Sequence, residues 1–211
     1  MTDDRAAALA FIGADSRIRD RLDAYVELLA RWRKATNLLS ESAFSQVWIR
    51  HVADSAQLLA HAPLARRWVD LGSGAGFPGM VIAIQLAEIR GAEIHCIESD
   101  QRKCAFLREV ARATAAPAHI HATRIETVDP TMLEGIDAVT SRAVASLSRL
   151  VDLANPWLTR GAIGIFPRGR SEASSAESLS DASEFQFESL PNKLDRGASI
   201  VRVAVAVADR E

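Results

Sequence analysis

Residues 68–79 read Trp-Val-Asp-Leu-Gly-Ser-Gly-Ala-Gly-Phe-Pro-Gly. A short apolar run ends in an acid, three glycines follow at alternate positions, and a helical pattern starts at Gly79. Glycine tolerates positive φ and has no Cβ, so such a turn admits a ligand against the backbone. Asp70, two residues before Gly72, would repel a diphosphate and welcome a cationic or hydroxyl-bearing ligand. That is how a pocket for S-adenosylmethionine would be built. A turn made of Gly72, Gly74 and Gly76 also occurs in folds that bind nothing there, so a purely structural turn is the alternative.

Further polar groups follow the other apolar runs. Glu98 stands 22 residues beyond Gly76, where an acid can take both ribose hydroxyls of a nucleoside; capping a helix is its bland role. Ile125 and Glu126 are placed to flank an adenine ring and meet its amino group. Ser141 and Arg142 stand where a transferred methyl and its acceptor should meet, with a structural ion pair as the alternative for Arg142. The chain has no Asn/Asp-Pro-Pro-aromatic tetrad after the fourth run, where Ser141-Arg142-Ala143-Val144 stands, and no cysteine there to attack a pyrimidine carbon. A ring nitrogen with a lone pair and no proton to lose needs neither device, and catalysis is then mainly in-line positioning.

The elements that must position these groups are legible. Leu22, Tyr25, Val26, Leu29 and Trp32 make a stripe of helical period, which predicts an amphipathic core-packing helix capped by Asp15 or Ser16 and ending near Asn37. A second helix is expected over about 44–60, closed by Pro63. Five strands are expected at 68–71, 94–98, 118–122, 136–140 and 162–166, with helices over 79–88, 101–114 and 146–158. Alternating strands and helices indicate a parallel sheet covered on both faces. Segments 184–190 and 199–208 read as two more strands, joined by a piece too short for a crossover helix, so the last should return antiparallel. The Ser/Glu-rich piece 171–183 is a surface helix or a loop. The expected fold is α/β: a Rossmann-like class I methyltransferase with a seven-stranded, mostly parallel sheet, an antiparallel last strand and an N-terminal helical cap. A single domain over 1–211 is expected, with 1–63 as helical extension and 64–211 as the S-adenosylmethionine-binding core.

At 211 residues, 48% apolar and 25% charged, the chain can bury a sizeable core. No apolar run approaches the ~18 residues of a membrane span, and the polar start Met1-Thr2-Asp3-Asp4-Arg5 is unlike a secretory signal, so a cytoplasmic protein is expected. Cys96 and Cys104 lack metal-site spacing and read as buried structural residues; no metal is expected. The net charge of −2 gives no global nucleic-acid signature. It suits a substrate recognised by shape, such as an assembled particle, because electrostatic affinity scales with phosphates neutralised. Arg31-Trp32-Arg33-Lys34, Arg66-Arg67, Arg102-Lys103 and Arg168-Gly169-Arg170 are basic clusters that form a patch only if the fold brings them together.

Three motifs together resemble the RsmG (GidB) family of 16S ribosomal RNA guanine-N7 methyltransferases. They are Arg50-His51-Val52-Ala53-Asp54-Ser55, the glycine segment Asp70-Leu71-Gly72-Ser73-Gly74-Ala75-Gly76-Phe77-Pro78-Gly79, and Ser141-Arg142-Ala143-Val144-Ala145-Ser146-Leu147. The resemblance extends over nearly the whole chain and includes Asn37-Leu38 after the first long helix. It implies methyl transfer from S-adenosylmethionine to N7 of a guanine, position 527 in the 530 loop of 16S rRNA, within the 30S subunit, by a chain expected to act as a monomer. It implies cofactor contacts at Gly72, Phe77, Ile125, Glu126 and Arg142, with an acid at Glu98; Arg142, with basic residues near it, is the candidate catalytic residue expected to steer the RNA. Arg50, His51, Arg168 and Arg170 are the candidate RNA contacts; for His51 and Asp54 a helix–helix hydrogen bond is the equal alternative. Family members carry Lys-Gly after the fifth strand, where this chain has Pro167-Arg168-Gly169. Arginine keeps the charge but not lysine's point-like ammonium. A small-molecule methyltransferase, a non-catalytic RNA-binding protein with a vestigial pocket, and a nicotinamide dehydrogenase are the rival readings.

Overall fold

The computed structural model describes residues 2–142, 145–169 and 184–206; Arg170 and segment 171–183 lie outside the described residues. Seven strands form one sheet in the order β3-β2-β1-β4-β5-β7-β6: β1 (Arg67–Leu71), β2 (Glu93–Glu98), β3 (Ala118–Ala122), β4 (Ala138–Thr140), β5 (Ile163–Arg168), β6 (Phe185–Pro191) and β7 (Ser199–Val205). The first five pair in parallel, and β7 runs antiparallel to both neighbours, β5 and β6. The strand order reverses between β1 and β4, the place where open α/β sheets bind ligands at the carboxyl ends of their strands.

Side chains alternate across the sheet and divide the core in two. Trp68, Ile94, Cys96, Ala138 and Ile165 face the layer that holds α2 (Ser16–Thr36), α5 (Gly79–Gln85) and α6 (Gln101–Thr114). Val69, Leu71, Ile97, Val139 and Phe166 pack with α7 (Leu147–Leu158). Both cysteines are free and buried. The β3-to-β4 crossover has no α-helix, only two 3-10 turns, Ile125–Thr127 and Pro130–Met132.

The N-terminal extension begins with α1 (Thr2–Ile12). Asp15 caps α2 by accepting from the Ile18 N–H at 2.8 Å, and Asn37 ends that helix at φ 49°. The helix expected over 44–60 is broken into four pieces: α3 (Glu41–Phe44), a π-helical stretch (Trp48–Ala53), the single turn α4 (Asp54–Ala56) and a 3-10 turn (Gln57–His61). π-Helical turns concentrate at functional sites, and this one carries Arg50 and His51. Among the described residues, no helix is long and apolar enough to cross a membrane.

Candidate functional site

The loop after β1 turns on Gly72, Gly74 and Gly76, all at positive φ (71°, 55° and 95°). The Gly72 and Ser73 N–H groups both donate to the Ile97 carbonyl, at 2.9 and 3.0 Å, which bends the loop toward the end of β2. There Glu98, only 8% exposed, accepts the Gly74 N–H on Oε2 at 2.8 Å and the Asp100 N–H on Oε1 at 2.9 Å. Asp100 in turn caps α6. Each Glu98 oxygen keeps acceptor capacity beyond its one backbone bond, as a pair of ribose hydroxyls requires. A Cβ on Gly74 would meet only the Gly72 carbonyl, at 3.8 Å, so this part of the loop faces open space. The residues present therefore fit a nucleoside-type cofactor.

Gly76 faces inward. A Cβ there would lie 2.7 Å from Met80 Cγ and 2.8 Å from the Tyr25 hydroxyl. Tyr25, from the buried stripe of α2, donates its hydroxyl to the Ala75 carbonyl at 2.6 Å, and its ring lies 5.4 Å from that of Phe77. Burial raises the Tyr25 phenol well above its ordinary range, so it stays a donor. The extension thus holds the loop from beneath. The helical stripe marked Tyr25 as core, and only its hydroxyl, unusual on such a stripe, signalled a second task.

Asp70 has an indirect role here, a correction to its reading as a cofactor ligand. It lies on the α5 side of β1 with Trp68, has no exposed surface, and accepts the Gly79 N–H on Oδ2 at 3.1 Å. A Cβ on Gly79 would lie 2.5 Å from that oxygen, so glycine there is what lets the helix start close on the acid. Burial pushes the Asp70 carboxyl up to about 7, and its Oδ1 has no hydrogen-bond partner.

The two motifs separated by some ninety residues meet at the end of β4. Ser141 donates to the Leu71 carbonyl at 2.7 Å, tying β4 to β1. The Arg142 guanidinium reaches the π-helical stretch, where Nη2 donates to the Arg50 carbonyl at 2.8 Å and lies 3.4 Å from Asp54 Oδ2. Its Nη1 is buried without a partner. Burial lowers the Arg142 pKa while Asp54 opposes it. The His51 ring lies 5.0 Å from Phe77, and burial, reinforced by the charges of Arg142 and Arg50, takes its pKa down to about 4. His51 is therefore neutral near pH 7. Arg50 is exposed, with Nη1 on Gln46.

Ile125 and Glu126 lie on the 3-10 turn beyond β3, at the same edge of the sheet. Ile125 is half-buried against the α7 layer, and Glu126 is exposed and paired with Arg149 at 3.3 Å. Arg168 is a second correction. At 3% exposure it presents no surface to RNA, and its Nη1 donates to the Ala145 carbonyl at 3.1 Å, so the end of β5 turns it inward. Sequence reasoning missed Gln57, three residues from Asp54, and Asn192, which reaches Asp54 from across the chain (Asn192 Nδ2 to Asp54 Oδ1, 2.6 Å). Contacts at such separation leave no local signal.

The profile of a family described as rRNA small subunit methyltransferase G matches residues 18–195. A protein of Methylorubrum populi named ribosomal RNA small subunit methyltransferase G is 45% identical over 202 residues, covering 96% of this chain and 95% of its own. A protein of the same name from a Bradyrhizobium species is 47% identical over 176 residues, covering 83% and 79%. Among solved structures, a mutant of MtNAS in complex with S-adenosylmethionine is similar at a TM-score of 0.55 and 14% identity, over 96% of this chain and 84% of that one. An rRNA methylase from Streptococcus thermophilus is similar at a TM-score of 0.54 and 14% identity, over 75% and 98%. At such identities the likeness is one of fold.

Proposed function

The chain belongs to the rRNA small subunit methyltransferase G family, and from that premise we propose that it transfers a methyl group from S-adenosylmethionine to N7 of guanine 527 in 16S rRNA. The observation that carries the reading is the meeting of residues 50–55 with Ser141 and Arg142 beside the glycine loop. Gly72, Gly74 and Phe77 line the cofactor's place, Glu98 takes the ribose hydroxyls, and Ile125 and Glu126 flank the adenine. Bound there, S-adenosylmethionine supplies a methyl group carried on a sulfonium.

Guanine N7 offers an in-plane lone pair and has no proton to lose. The cofactor held there would supply the methyl to that lone pair, and the acceptor ring would take on the positive charge with no general base required, so what remains for this chain's residues is alignment. Guanine presents O6 and N7 side by side. The unpartnered Nη1 of Arg142 supplies a donor for O6, which fixes the direction of N7. A neutral His51 adds no second cation beside a ring that is becoming positive.

We further propose that the chain acts as a single-domain monomer in the cytoplasm, on guanine presented within the 30S subunit. The net charge of −2 favours a pre-shaped substrate over free RNA. The test is incorporation of labelled methyl into unmethylated 30S subunits and into protein-free 16S rRNA, mapped by cleavage at N7-methylguanine. The expected result is one modified guanine in the 530 loop, with Arg142→Ala cutting the rate at least a hundredfold while the fold survives. Near-normal turnover by that variant refutes the role of Arg142, and no incorporation into either RNA refutes the substrate.

A further inference from the structure

Asp54 is a junction. Its Oδ1 accepts from Gln57 Nε2 at 2.9 Å and from Asn192 Nδ2 at 2.6 Å, while Oδ2 lies 3.4 Å from Arg142 Nη2. Asn192 is itself fixed: its Oδ1 accepts the Leu194 and Asp195 N–H groups at 2.8 and 3.0 Å, closing the turn between β6 and β7. The Lys193 N–H donates to Gln57 Oε1 at 3.0 Å, which docks the same turn on the extension. A relay thus runs from a turn 138 residues away in sequence, through one carboxylate, to the guanidinium at the site.

The geometry at Arg142 is one-sided. A carboxylate and a guanidinium left to themselves pair through two parallel N–H···O bonds. Here only Nη2 faces Asp54, and Nη1 is buried without a partner although the side chain is only 26% exposed and that of Asp54 13%. The second Asp54 oxygen is already occupied by Asn192 and Gln57. We propose that Asn192 is a positioning residue for methyl transfer: by occupying Asp54 Oδ1 it keeps the carboxylate from taking both edges of Arg142, and so reserves Nη1 for the substrate. The inference rests on the proposed role of Arg142. Asn192 touches neither substrate and acts through Asp54.

Without the Asn192 amide, Asp54 Oδ1 keeps only its bond from Gln57, and the carboxylate can turn to draw Nη1 into a two-bond ion pair. The test measures single-turnover methyl transfer to 30S subunits by the full chain, with cofactor affinity by calorimetry and melting temperature alongside. Asn192→Ala is expected to slow transfer about tenfold, with less than a twofold change in cofactor Kd and in half-saturation by 30S subunits. Asn192→Ser is the second variant should the first fail to fold. In an Arg142→Lys background, where no second N–H edge exists to be captured, the same substitution should add less than a twofold loss, since residues acting through one another are not additive. Equal losses in both backgrounds, or a loss confined to Kd or melting temperature, overturn the proposal. Nitrogen-15 spectra of the Arg142 guanidinium give a readout independent of turnover: the Nη1 environment should change in Asn192→Ala, and an unchanged spectrum overturns the relay. Failure of the parent protein to methylate 30S subunits refutes the functional reading instead, and those spectra still decide the relay.

Discussion

Asp70→Asn tests the inner wall of the cofactor site. The carboxyl has no exposed surface, and burial carries its pKa from the ordinary 3.8 to about 7, with the bonds from Ser73 and Gly79 opposing only in part. Between those values the folded chain keeps a proton that the unfolded chain has released. Stability therefore falls as pH rises through the window, and the loss is complete above about pH 7. The separation corresponds to about 4 kcal/mol. Asparagine retains an oxygen for the Gly79 N–H and does not titrate. Its NH2 must be accommodated where Oδ1 has no partner, at ~1–3 kcal/mol. At pH 8.5 the variant should be more stable than the parent by ~1–3 kcal/mol, which for a chain of this size raises the melting temperature by about 2–12 °C. At pH 5 the parent's acid is neutral, and the advantage vanishes or reverses. Thermal denaturation followed by circular dichroism from pH 5 to 8.5 reads the difference directly, because every other titrating group is common to both proteins. A difference that stays constant over that range refutes the assignment. Cofactor binding should report the same proton: S-adenosylmethionine carries net positive charge, favours the ionised acid, and should bind the parent several-fold more tightly at pH 8 than at pH 6. The variant's affinity should be flat with pH.

Tyr25→Phe removes a buried 2.6 Å bond and leaves the Ala75 carbonyl unpaired. It should cost ~1–2 kcal/mol, seen as a lower melting temperature, and should weaken cofactor binding several-fold by calorimetry; binding equal to the parent's would remove Tyr25 from the loop's support. Gly76→Ala places a side chain at φ +95° and within 2.8 Å of Tyr25 and Met80. Backbone strain of about 1–3 kcal/mol adds to the clash, so cofactor binding should be lost, and a calorimetric titration like the parent's would refute that. Arg50→Ala should reduce the salt dependence of RNA binding by about one charge, whereas Arg168→Ala should lower the melting temperature and leave that dependence unchanged. A reduced salt slope for Arg168→Ala would restore its role as an RNA contact.

Local chemistry explains what was legible. Three glycines at alternate positions after an apolar run permit little besides a strand, a turn and a close approach, and the turn at 72–76 is where they predict it. The Asp15 cap and the end of α2 at Asn37 follow from the same kind of short-range rule. The antiparallel β7 follows from a connection too short to cross over. Asp70 misled because sequence gives an acid's neighbours along the chain and not the face of the strand it occupies; on the α5 side it meets a helix start. Arg168 misled in the same way at the end of β5.

The break at 44–61 has another origin. Helical periodicity describes a segment that satisfies its own backbone, but here the Arg50 carbonyl accepts from Arg142 and the Asp54 side chain is shared among Gln57, Asn192 and Arg142. Gln57 is local, but Arg142 and Asn192 come from much later in the chain, so no window of sequence around residue 50 contains the whole reason for a widened turn. The extension is then part of the site: it supplies the hydroxyl that anchors Ala75, the carbonyl and carboxylate that hold Arg142, and the ring that packs on Phe77. A sheet carrying the glycine turn without these groups would still present Glu98 and the loop backbone to a cofactor. It would leave the guanidinium proposed to orient the acceptor without its grip on the Arg50 carbonyl and Asp54, which is why, on the proposed function, the motifs at 50–55 and 141–142 carry more information about the reaction than the glycines do.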